Sequence, residues 1–276
     1  MHTQVILITG CSSGIGAALA EQCHQAGHQV IATARNLNDL QHLPEGIKTL
    51  ALDVTQHESI ARCAGFIEEN FGRLDLLINN AGYGAMGAML EMPAADIQRQ
   101  FATNTFAPLH MVQAHFSLLQ RSERARIVNI GSVSGITATP FSGIYCASKA
   151  ALHTLDDVLR MELFPFGIEV ITVQPGAIGS AFGDNAEQQL KNVLAENSRY
   201  AAVKAALFKR ARASQQNPTP AAEFARIILR KILAENCPRL IRAGNGSTLL
   251  PLLKKVLPAK WLDHILRRQF SLDQKF

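Results

Sequence analysis

Long apolar runs are absent: nowhere in the 276 residues do the roughly 18 consecutive apolar side chains of a membrane-spanning helix occur. Cysteine is sparse. The five residues (Cys11, Cys23, Cys63, Cys146, Cys237) are scattered without a C-x-x-C pair, which argues against a disulfide framework or a zinc knuckle and predicts a reducing, intracellular setting. No basic stretch precedes the first apolar run, Val5 to Ile8, and no cleavage site follows it, so a secretory signal is not expected and a cytoplasmic location is. The nine histidines form no ligand set: Gly27 separates His24 from His28, and His110 and His115 share a helix face poorly, so no metal is predicted. Gly (19) and Pro (11) are near their average share, which rules out collagen-like and low-complexity chains.

What is present suits a folded, globular chain. Hydrophobic residues make up 47 % and charged residues 18 %, enough for a sizeable core. The net charge of +5 hides an asymmetry: residues 1–176 carry 10 Lys and Arg against 15 Asp and Glu, residues 177–276 carry 17 against 7. A basic C-terminal third reads first as a solvated surface and is compatible with an anionic ligand or lipid headgroups. It has few rings and no recognition motif, so nucleic acid is not expected.

The first two-thirds alternate short β-branched runs with helical stretches. Strands are predicted at 5–9, 29–33, 47–52, 74–78, 126–130 and 168–173, with helices at about 14–25, 59–70, 93–119 and 143–164 and a short one ending near Leu43. Runs apolar on both faces read as parallel strands covered by helices, hence a doubly wound α/β sheet. Beyond Pro175-Gly176 the regularity breaks: 183–213 reads as helical, 215–220 as a breaker, 238–242 as a last strand, and 247–270 as a tail punctuated by Pro251 and Pro258. No linker separates two cores, so one domain is predicted.

Thr9-Gly10-Cys11-Ser12-Ser13-Gly14-Ile15-Gly16 falls where the first strand becomes the first helix. Glycines there let backbone N–H groups approach a pyrophosphate at a helix N-terminus. The same stretch contains G-x-S-x-G, a hydrolase nucleophile elbow with Ser12 as nucleophile, although the elbow normally follows several strands and leaves Gly16 unexplained. Tyr145 and Lys149, four apart on a predicted helix, share a face. The ammonium is expected to lower the phenol toward neutral pH, and Ser132 adds a hydroxyl that can hold a carbonyl oxygen.

Taken together, Thr9-Gly10-x-x-x-Gly14-x-Gly16, Asn79-Asn80-Ala81-Gly82, Ser132 and Tyr145-x-x-x-Lys149 resemble the short-chain dehydrogenase/reductase family, over about residues 4–176 with plausible continuity to 245. The resemblance implies a single Rossmann-type parallel sheet of about seven strands. In it, 1–176 form the cofactor-binding and catalytic core, 177–217 a substrate lid, 218–245 the last helix and strand, and 246–276 a helical tail. It implies that Tyr145 is the general acid or base, that Ser132 orients the substrate oxygen, that Lys149 also holds the nicotinamide ribose, and that Asn104 holds a water linked to Lys149. Gly10, Ser12, Ser13, Gly14, Ile15, Gly16, Asp53, Val54, Asn79, Asn80, Ala81, Gly82, Pro175, Gly176 and Ile178 would line the cofactor.

At the end of the second strand Ala34-Arg35 stands where an NAD enzyme usually carries an acid. Arg35 can pair with a 2′-phosphate, so NADP(H) is expected over NAD(H). Met86, Ile136, Phe141, Ile178, Ala181 and Phe182 are expected to line an apolar pocket. The segments 30–35 and 175–182 and the tail look most like the hydroxysteroid and retinol dehydrogenase-like branch, which implies a small lipophilic alcohol, aldehyde or ketone. Trp261, Leu262, Ile265, Leu266 and Phe270 form one face of an amphipathic tail helix, placed against the lid, a partner subunit or, peripherally, a membrane. A homodimer or homotetramer through helices 93–119 and 143–164 is implied by analogy. The rival readings are a non-catalytic dinucleotide-binding regulatory protein and the Ser12 hydrolase.

Overall fold

The computed structural model describes residues 3–275, leaving Met1, His2 and Phe276 outside the described residues. Seven strands form one wholly parallel sheet: β1 (Val5–Ile8), β2 (Gln29–Ala34), β3 (Lys48–Ala51), β4 (Leu76–Asn79), β5 (Arg126–Ile130), β6 (Glu169–Pro175) and β7 (Leu240–Ala243). Their spatial order is β3-β2-β1-β4-β5-β6-β7. Order therefore reverses between β1 and β4, and at such a switch point the carboxyl ends of the strands open a crevice for a ligand.

Alternation along each strand builds two cores. Ile6 and Ile8 point to the face covered by α1 (Gly14–Gln25) and α8 (Ala221–Ile232), meeting Leu19, Cys23, Phe224 and Ile228. Val5 and Leu7 point to the other face, meeting Ile60 and Ile67 of α2 (His57–Phe71) and Met111 and Leu118 of α4 (Ala107–Gln120). Each such side chain contributes about 1.5–3 kcal/mol when fully buried. The four cysteines in these cores and beside the site are buried and free; burial pushes the Cys11, Cys23 and Cys63 thiols up to about 12, so they pack as apolar groups.

Three predicted helices differ from expectation. The stretch after β2 is only a 3-10 turn, Leu37–Leu40. The helix expected at 93–119 is α3 (Ala94–Phe101) and α4 joined by a π-turn, Ala102–Phe106. Pro108 explains the joint: it has no N–H to give the Asn104 carbonyl four residues back, and Ala107 instead donates to Ala102, five back. The expected 183–213 helix is split into α6 (Phe182–Val193) and α7 (Lys204–Ala211). Helix α5 spans Gly143–Glu162, and the tail folds as α9 (Leu249–Val256) and α10 (Ala259–Gln269).

Candidate active site

Thr9 organises the switch point. Its hydroxyl accepts from the backbone of Asn80 and of Ala81, both at 3.0 Å, tying the end of β1 to the end of β4. The Asn80 amide donates to the carbonyls of Thr9 and Gly10, each at 2.9 Å, so this side chain is spent on holding the loop. The loop is drawn in so tightly that a Cβ on Gly16 would lie 2.2 Å from the Gly10 carbonyl oxygen and 2.5 Å from the Asn80 amide. Gly10 itself is left-handed, with φ 72°. The third glycine, which a hydrolase leaves without a purpose, is thus required by packing. Ser12 is exposed, lacks the positive φ of a strained elbow and, among the described residues, bonds no histidine, which removes the hydrolase reading.

These features fit a dinucleotide. Ser13 is extended at the start of α1 and its hydroxyl makes no capping bond, so the first-turn N–H groups are open to an anion. Arg35 is exposed at the end of β2 beside the buried, uncharged Ala34. Asp53 accepts from the Thr55 N–H at 2.9 Å and hydroxyl at 2.7 Å through one oxygen, leaving the other without a protein partner among the described residues. The Ile15 side chain packs against the core under α1 and α8, and Val54 is buried in the core under α2 and α4. Gly176, after Pro175, lies against the Asn245 carbonyl.

Two expectations are corrected. Asn79 does not line the crevice: its amide donates to Asn129 at 2.8 Å and toward the Pro108 carbonyl at 3.4 Å, inside the core. Ile178 does not line the apolar pocket either. Its side chain belongs to the core with α1 and α8, while its backbone bridges to Thr219.

On the other side of the crevice, Ser132 follows β5, and Tyr145 and Lys149 rise on α5. The four expected catalytic residues converge. Lys149 Nζ donates to the Ile130 carbonyl at 2.7 Å. Gly82 lies between Lys149 and Asn104: its Cβ position is 3.7 Å from Lys149 Nζ and 3.1 Å from Asn104 Oδ1. Asn104 is fully buried in the π-turn, donating to the Tyr83 carbonyl at 2.9 Å and accepting from the Tyr83 N–H at 3.2 Å.

The electrostatics differ from the expectation in one respect. Burial pushes the Tyr145 phenol above its ordinary value, opposed by a hydrogen bond from Ser132 and by the charge of Arg210 rather than by Lys149. Burial also lowers Lys149, to about 8, with buried Asp156 opposing the change from two turns further along α5. Asp156 is held by Asn129 and, at 2.6 Å, by Thr172, and burial raises its carboxyl. His153 accepts from the Ser132 N–H at 3.4 Å, its pKa lowered to about 4 by burial and by Lys149.

Around the phenol, Met86, Phe141, Phe182, Tyr200, Leu207, Leu266 and Phe270 form an apolar cluster. Tyr145 and Phe182 rings meet at 5.4 Å. Phe141 reaches the cluster from a left-handed backbone (φ 63°), an outlier for an aromatic residue, and packs edge-on against Tyr200 and Phe270. His153, Asp156 and Arg210 are neighbours of the site that motif spacing does not mark. The tail is divided: Leu266 and Phe270 are buried in this cluster, and Trp261 and Ile265 are exposed.

Residues 4–191 match the family model described as short chain dehydrogenase. A 3-ketodihydrosphingosine reductase of Bacteroides thetaiotaomicron is 31 % identical over 273 residues, covering 99 % of this chain and 100 % of that protein. An NADPH-dependent 1-acyldihydroxyacetone phosphate reductase of Saccharomyces cerevisiae is 29 % identical over 281 residues, covering 98 % and 92 %. Among solved structures, a short-chain dehydrogenase from Streptomyces avermitilis is 29 % identical with a TM-score of 0.79, covering 98 % and 95 %.

Proposed function

We propose a function from one premise: the chain belongs to the short-chain dehydrogenase family, and as such is a dinucleotide-binding oxidoreductase acting on alcohol and keto groups. Our reading is an NADP(H)-dependent enzyme that interconverts a lipophilic alcohol with its ketone or aldehyde. The convergence of Ser132, Tyr145 and Lys149 beside the glycine loop carries it.

Ser132 donates a hydrogen bond to the substrate oxygen, and Tyr145 passes its proton to that oxygen in reduction and takes it back in oxidation. The phenol is protonated at neutral pH, as an ordinary tyrosine is and as burial reinforces, so it carries the proton that reduction needs. Lys149 and Asn104, on either side of Gly82, form the inner end of a route by which Tyr145 is reprotonated. The bound nicotinamide supplies or accepts the hydride. The regulatory reading, which needs the pocket without turnover, leaves the three converging side chains without a task.

Arg35, with no carboxylate at Ala34 to repel a phosphate, supports NADP(H), and the yeast relative is NADPH-dependent by name. The aromatic and aliphatic cluster around Tyr145 supports a lipophilic substrate. Phe106, Met161, Phe164 and Phe166 are exposed on and beside α4 and α5, which suits a homodimer or homotetramer through those helices. Trp261, Ile265, Leu252 and Val256 are exposed on the tail among Lys254, Lys255, Lys260, Arg267 and Arg268, which suits peripheral contact with an anionic membrane, consistent with a cytoplasmic enzyme.

The test is consumption of NADPH, with NADH in parallel, against a panel of lipophilic ketones, aldehydes and retinoids. The reading expects turnover of at least one carbonyl, faster with NADPH. Turnover of none, or a preference for NADH, contradicts it.

A further inference from the structure

Buried charges normally come with an opposite charge. Arg210 on α7 does not. It is 9 % exposed, and among the described residues no carboxylate lies within ion-pair distance of it. Its Nε donates instead to two hydroxyls, Thr139 Oγ1 at 2.8 Å and Ser142 Oγ at 3.1 Å. Those hydroxyls are themselves 2.9 Å apart, and Ser142 stands at the N-terminus of α5, three residues before Tyr145. Leu207 and Ala211, which flank Arg210 on α7, lie in the same apolar cluster as the phenol. A guanidinium with only neutral partners in such surroundings keeps its field unneutralised, where charges act more strongly than in water.

We propose that Arg210 is a positioning residue carried by the lid: seated on Thr139 and Ser142, it supplies the positive potential under which the Tyr145 phenol gives up its proton. The proposal rests on the reading of Tyr145 as the proton carrier. The groups that act on the phenol are Ser132 from the turn after β5, Cys146 from α5 and Arg210 from α7, while Lys149 stands one turn further along α5. Phe141, Phe182, Leu266 and Phe270 add apolar contact, and Tyr200 a second phenol. Ser132 and Arg210 favour the phenolate, whereas burial and Cys146 oppose it. The Lys149 ammonium is engaged by the Ile130 carbonyl. Once the phenolate forms, Arg210 has the anion it otherwise lacks. Because α7 carries the charge, the phenol is served only while the lid is packed.

Arg210→Met keeps the volume and removes the charge, a change that buried sites often tolerate; Arg210→Lys keeps the charge. The measurement is the pH profile of kcat/KM for alcohol oxidation, with the KM for NADP(H). Arg210→Met is expected to move the limb governed by the phenol upward by about one pH unit, a loss of about tenfold at pH values below that limb. The KM for the cofactor stays the same, and Arg210→Lys shifts the limb less. A phenol difference-absorbance titration, which needs no turnover, shows the same upward shift for one tyrosine, and that transition is absent from Tyr145→Phe. Should Arg210→Met fail to fold, the double variant Thr139→Val with Ser142→Ala, which frees the guanidinium, is expected to shift the limb in the same direction. An unmoved limb with rates reduced equally at every pH assigns Arg210 to packing and overturns the proposal. Full activity in Tyr145→Phe defeats the underlying function instead.

Discussion

The Tyr145 phenol and the Lys149 ammonium show how far spacing alone can carry chemistry. Four residues on a helix do bring them to one crevice, as their periodicity requires, but spacing does not report burial. Burial drives the phenol up and the ammonium down, opposite to what a solvated pair would do, and the cation that opposes the rise in the phenol is Arg210, some 65 positions further along the chain. Nothing local marks Arg210. In a segment rich in Lys and Arg (177–217) it reads as one more solvated base, and only the fold places it against Ser142. The place of Arg35, by contrast, was legible: it stands exposed directly after β2, where a cofactor ribose would lie in such a sheet, and its pairing with a phosphate is part of the proposal. Arg35→Ala is expected to raise the KM for NADPH about tenfold or more while leaving that for NADH nearly unchanged, as loss of a charge-assisted hydrogen bond requires. Initial-rate kinetics with both cofactors check this, and parallel increases would place the phosphate elsewhere.

Helices and turns decide how firmly those residues are held. The strands were legible because their two-faced apolar runs leave little choice, whereas the π-turn was not, since a period of 3.6 does not reveal where one residue is added. Its origin is nonetheless in the sequence: Pro108 withholds the N–H that would close the helix onto Asn104. Pro108→Ala supplies that donor, and the variant is expected to melt at a higher temperature while losing about tenfold in kcat, as Asn104 is drawn away from Lys149; a one-ångström misplacement can cost more than this. Calorimetry and rate measurements on one preparation separate the two effects.

The second element-scale prediction concerns His153, packed under the Ser132 turn. Its folded pKa, about 4, lies below its ordinary 6.5, so the folded state resists a proton that the unfolded chain takes up. That contribution to stability is whole above pH 6.5 and is lost as pH falls toward 4, amounting to about 2 kcal/mol by roughly pH 5. Urea unfolding of His153→Gln is expected to show an acid-side decline smaller by about that amount. An identical decline in both proteins would contradict the assignment.

For the whole molecule, one parallel sheet with its order reversing between β1 and β4 puts the glycine loop, the β4 end and α5 around a single crevice. The lid and tail were only half legible. Their helices were readable, but Leu266 and Phe270 turn inward to the pocket while Trp261 and Ile265 turn outward, and a helical stripe does not say how it is shared between two neighbours. The outward half carries the membrane proposal. Trp261→Glu with Ile265→Glu is expected to abolish flotation with anionic liposomes and leave the activity toward a soluble carbonyl unchanged. Equal flotation of both proteins would leave that face to a partner subunit, which light scattering would then detect.

The central claim is that a protonated phenol at the end of this crevice delivers the proton of a carbonyl reduction. Tyr145→Phe removes one oxygen and keeps the ring against Phe182. The measurement is NADPH consumption with a lipophilic ketone, beside NADPH binding followed by its fluorescence. Binding within a factor of about two, with kcat lower by about 10²–10⁴, is the predicted result; undiminished turnover by the variant would contradict the account.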